Sequence, residues 1–73
     1  MAGHFGEGEM VRWHWGAGTA HGKVETRFDK RVSRTIKGKR ITRNGTVENP
    51  AYLVRQEDGD RALKRGSELE PAS

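Results

Sequence analysis

The chain has 73 residues, 32% hydrophobic and 33% charged, with no cysteine and a net charge of +4. That length holds one domain with a small core, and the missing cysteines exclude disulfides and thiolate metal sites. No apolar run is long enough to span a bilayer, and with no signal peptide the expected location is the cytoplasm. The charge is unevenly spread: residues 1–22 carry −1, residues 23–43 carry +7 from nine Lys/Arg against two acids, and residues 44–73 carry −2. Such asymmetry points to a polyanionic partner; the plain alternative is a charged, solvated face that keeps a small domain soluble.

Residues 1–8, MAGHFGEG, are glycine-rich and aperiodic and read as a mobile leader. From Glu9 to Trp15 the pattern alternates, with Val11, Trp13 and Trp15 facing one way and Met10, Arg12 and His14 the other. This is a half-buried strand, and Trp13 is its best core candidate. Gly16–Gly22 reads as a long first loop. It is not a P-loop, being one residue short with Val24 in place of Ser/Thr, and its glycine spacing misses the dinucleotide-binding pattern. Lys23–Phe28 alternates again, with Val24 and Phe28 expected inward.

Asp29 to Asn49 reads as a basic insert, either a curved extension or a second hairpin about Lys37-Gly38. Pro50 precedes the next strand, where its missing N–H does least harm. Asp58-Gly59 then predicts a two-residue type I′ hairpin loop. In that register Glu57 pairs with Asp60 and Val54 with Leu63, so that Tyr52, Val54 and Leu63 share one face. Ser67 to Glu70 fits a capping box with Ser67 as N-cap. One 3-10 turn with Leu69 inward is expected there, stopped by Pro71, with residues 71–73 as a tail.

Taken in order, Val11-Arg12-Trp13-His14-Trp15-Gly16, Gly22-Lys23-Val24, Thr42-Arg43-Asn44-Gly45, Asn49 to Val54, Glu57-Asp58-Gly59, Leu63-Lys64 and Ser67-Glu68-Leu69 resemble the hypervirulence-associated-protein tudor-domain family, short bacterial and some fungal proteins. The resemblance covers about residues 8–70. It implies an all-β fold: a small SH3/tudor-like barrel of about five antiparallel strands over residues 9–70, with the basic insert at 29–49 and a C-terminal 3-10 turn. It brings no catalytic residue and no ligand with it.

The residues themselves argue for a binding module and against an enzyme. No nucleophile has a base in a recognisable motif. His4, His14 and His21 are scattered without metal-ligand spacing, so neither metal nor cofactor is expected. Lys30, Arg31, Arg34, Lys37, Lys39, Arg40 and Arg43, set among Val, Ile, Ser and Thr, form the candidate nucleic-acid surface. A ribbon of this kind can follow the backbone of RNA or DNA, and with no aromatic between Phe28 and Tyr52 base stacking has little support. The rival partner is a peptide or protein, received with or without a methylated Lys or Arg at Trp15 and Tyr52, which this reading places near the barrel mouth. The plainer reading, and the preferred one, is that Trp15 closes the barrel end. A monomer that does not bind membranes is expected.

Overall fold

The computed structural model describes residues 4–72. Seven strands and one 3-10 turn follow in order: β1 (Met10–Trp15), β2 (Gly18–Phe28), β3 (Arg31–Ile36), β4 (Lys39–Asn44), β5 (Ala51–Arg55), β6 (Arg61–Arg65), the turn Gly66–Glu68, and β7 (Glu70–Pro71). Five of them form one antiparallel sheet in the order β6-β5-β2-β1-β7, and β3 and β4 form a separate hairpin. The architecture is the small all-β one expected from the sequence.

The long first loop is absent. Gly16-Ala17 alone turns the chain, with Gly16 at φ 49°, and Gly18 to Gly22 already belong to β2. Across β1 and β2 the large residues face small ones, Val11 opposite Gly22 and Trp13 opposite Ala20. A Cβ on Gly22 would collide with Val54 Cγ1 and lie 2.8 Å from the Arg55 carbonyl, so glycine is what lets β5 pack this closely.

The first core joins Phe5, Val11, Trp13, Val24, Tyr52, Val54 and Leu69. The sequence pattern puts Phe5 in a mobile leader, residues 1–8. Instead it is 7% exposed, and residues 6–9 are tied to the barrel through Gly8 N to Val24 O (2.8 Å) and Val24 N to Glu9 O (3.0 Å). The first three leader residues and the last tail residue lie outside the described residues.

A second cluster lies on the other face of the main sheet. Val32, Ala51 and Leu63 are buried there with Phe28, Ile36, Ile41 and Leu53 packed against them. The basic hairpin is therefore also a cover, its apolar side chains closing a face that would otherwise be wet. Its turn is Lys37-Gly38, both at positive φ (51° and 78°), as type I′ geometry requires.

Two sequence expectations about facing fail here, each for a local reason. Val24 pairs with Val54 but Thr26 with Leu53, so a bulge intervenes and β2 changes face along its length. Val24 thus enters the first core and Phe28 the second. The β5–β6 loop is longer than two residues. Gln56 N donates to Asp60 O at 2.7 Å and Gly59 N to Gln56 O at 3.0 Å, and Gly59, not Asp58, has positive φ (90°). That is the longer loop with glycine in the left-handed position, which shifts the register by one. Leu63 faces Leu53 instead of Val54, and Val54 faces Ala62.

The 3-10 turn stands where expected with Leu69 buried, but its cap differs. Arg65 is the N-cap, and its N–H donates to Glu68 Oε1 at 2.9 Å. Ser67 is occupied elsewhere: its N–H donates to Asn49 Oδ1 (3.0 Å), and its hydroxyl accepts from Asn49 Nδ2 (3.1 Å). Pro71 does not merely stop the turn, since it pairs with Val11 in β7.

Candidate nucleic-acid interface

The hairpin register sorts the basic residues between two faces. Val32, Arg34 and Ile36 lie opposite Arg43, Ile41 and Lys39, and this side covers the sheet. Arg31, Ser33 and Thr35 lie opposite Asn44, Thr42 and Arg40, and by strand alternation this side points away from the barrel. On it the Ser33 and Thr42 hydroxyls share a 2.7 Å hydrogen bond, fixing the two strands to each other.

The seven cations singled out from the sequence are thereby divided. Lys37 Nζ lies 2.7 Å from Asp60 Oδ2, and this hydrogen bond holds its ammonium above the usual lysine range. Arg43 Nε lies 3.6 Å from Glu68 Oε1, on the carboxylate that also caps the 3-10 turn. Arg34 sits over the Phe28 ring at 4.8 Å and donates to its neighbour's carbonyl, Ser33 O, at 2.8 Å. It has no carboxylate partner among the described residues, but its position is on the packed side. Lys30, Arg31, Lys39 and Arg40 are exposed and have no carboxylate within ion-pair distance among the described residues. Arg31 and Arg40 stand on the outward face with the hydroxyls. Lys30 precedes β3, and Lys39 begins β4 beside the turn.

The aromatic pair does not assemble. Tyr52 is fully buried, its hydroxyl accepting from Phe5 N at 3.0 Å, so it is not near any mouth. Trp15 is 62% exposed and does not close the barrel. It lines an open cleft of about 440 Å³ with His21, Glu57 and Asp58. Carboxylates beside the ring disfavour a phosphate there and favour a cation.

A family model described as "Hypervirulence associated proteins TUDOR domain" matches residues 8–69. The chain belongs to this family. Comparison with curated proteins and with solved structures gives no match. As a member of a tudor-domain family the chain is a small binding module. The tudor barrel here carries the basic hairpin over one face of its sheet. No helix among the described residues is long and apolar enough to cross a membrane.

Two exposed cations of this tudor module escaped the sequence reading. Lys23 and Arg55 are cross-strand partners in the main sheet, which only the β2–β5 register reveals.

Proposed function

We propose that this tudor-family module is a non-enzymatic nucleic-acid binder that holds the backbone of RNA or DNA on the outward face of the β3–β4 hairpin. The contacts are made by Arg31 and Arg40, with Lys30 at the open end, Lys39 reaching round the tip from the covering side, and Ser33, Thr35 and Thr42 as hydroxyl donors. The observation that carries this reading is a hairpin, residues 31–44, with six Lys/Arg and no acid, four of whose neighbouring and member cations (Lys30, Arg31, Lys39, Arg40) lack a carboxylate partner among the described residues. Nothing aromatic stands on that face, so the contacts are to phosphate and sugar and do not read sequence. Titrating a single-stranded oligonucleotide into ¹⁵N-labelled protein tests the location: shifts are expected along Arg31, Ser33, Thr35, Arg40 and Thr42. Shifts confined to other strands would remove the hairpin from the function.

A second reading has its own observation. The exposed Trp15 ring beside Glu57 and Asp58 suits a Lys or Arg side chain of a protein or peptide, methylated or not, by ring-face and carboxylate attraction together. Trp15 fluorescence would then change on adding Lys- or Arg-containing peptides and not their Ala counterparts, and Trp15→Ala would abolish capture.

A further inference from the structure

Across three adjacent strands of the main sheet, the register places cation opposite cation. Lys23 on β2 faces Arg55 on β5, and Arg55 faces Arg61 on β6. Like charges directly opposite each other destabilise a sheet. One of the three is relieved: Glu25, at the β2 bulge, reaches past β5 and accepts from Arg61 Nε at 2.7 Å. Lys23 and Arg55 are exposed and have no carboxylate within ion-pair distance among the described residues. Together they line an open cleft of about 490 Å³ whose wall also includes Gly22 and Gln56. Glu25 and Glu57 line it too and oppose them. Counting Arg61, which holds Glu25 from outside the cleft, the three cations Lys23, Arg55 and Arg61 against the two carboxylates Glu25 and Glu57 leave this patch one positive charge, which matches a phosphodiester.

We infer that Lys23 and Arg55 form a phosphate site in this cleft, separate from the hairpin face. The row that contains them ends at Arg61, next to Asp60, which holds Lys37 at the hairpin tip. A polyanion leaving the hairpin at its tip passes Arg61, which Glu25 holds, and then meets Arg55 and Lys23. Assigning the phosphate to a nucleic acid rests on the function proposed above; the site itself does not.

Two arms keep these claims apart. In the first, inorganic pyrophosphate is titrated into ¹⁵N-labelled protein. Saturating shifts are expected at Gly22, Lys23, Arg55 and Gln56 and are expected to vanish in K23Q/R55Q. Absent shifts, or shifts that persist in the double variant, overturn the site whatever nucleic acid does. In the second, single strands of roughly 6 and 18 nucleotides are compared, since only the longer can span hairpin and cleft. K23Q/R55Q is expected to weaken the longer strand about 10-fold and to flatten its salt slope by about 1.4, the value for two lost single-strand phosphate contacts, and to leave the shorter unchanged. Equal loss for both lengths, or no loss, overturns the track. Failure of either strand to bind the natural protein overturns the nucleic-acid reading, and the pyrophosphate arm then decides the site. Folding is checked by thermal unfolding: K23Q/R55Q melts at or above the natural chain because a like-charge pair is gone. A drop of several degrees would make the two cations structural and would sink the inference.

Discussion

The amide of Phe5 donates to the buried hydroxyl of Tyr52 at 3.0 Å, and the two rings meet edge to face with centroids 5.6 Å apart. This contact draws the N-terminal segment into the core and removes the tyrosine from any surface. A phenol at a site with no exposure needs a partner for its hydroxyl, and the backbone of residue 5 supplies it.

Tyr52→Phe keeps the ring and strands the Phe5 N–H. It should cost about 1–2 kcal/mol, the usual penalty of an unsatisfied buried donor. Phe5→Ala also leaves a cavity and should cost about 3 kcal/mol. Urea denaturation measures both. Equal stability of the F5A variant and the natural chain would mean that the segment does not pack in solution.

Gly45 and Gly38 should respond differently to alanine. A Cβ on Gly45 would sit 2.5 Å from Phe28 O and 2.7 Å from Ala51 N, backbone that cannot step aside. Gly45→Ala should cost about 2–4 kcal/mol through this overpacking. Gly38 has open space around it but φ 78°, so Gly38→Ala should cost only about 1 kcal/mol from backbone strain. Denaturation midpoints of the two variants give the order.

The sequence shows Val11, Trp13, Val24 and Val54 as core, offers a Lys37-Gly38 hairpin as one of two readings of the insert, and predicts a final turn with Leu69 inward. All depend on local alternation or turn chemistry, and all stand in the structure. Alternation puts Phe28 and Leu63 on the wrong face because each lies beyond a one-residue irregularity, the β2 bulge and the longer β5–β6 loop. Once a single residue is inserted, period-2 reasoning inverts everything downstream. The full burial of Tyr52 is not legible locally, because the partner of its hydroxyl is 47 residues away in sequence. The basic segment was legible as composition. Its division into covering, paired and free cations was not, since Asp60 and Glu68 reach it only through the fold.

Acid should weaken the fold partly through Glu25. Its hydrogen bond from Arg61 holds the carboxyl below its ordinary value of 4.5. A depressed folded-state value means the contribution is complete above about pH 4.5 and is lost as pH falls through the folded value. Because the pair is exposed, the effect is small and shrinks with salt. Melting temperatures from pH 7 down to pH 2 should therefore fall less steeply for Glu25→Gln than for the natural chain, with the difference fading in high salt. Identical acid limbs would show that the Glu25–Arg61 contact contributes nothing.

Fluorescence anisotropy of a labelled single-stranded oligonucleotide, across a salt series with the natural chain and R31A/R40A, tests the proposed function most directly. Four backbone contacts predict a log–log salt slope of about −3, and losing two should flatten it by about 1.4 and weaken binding at least 10-fold. No binding by the natural chain at low salt, or an unchanged slope and affinity in R31A/R40A, would contradict it.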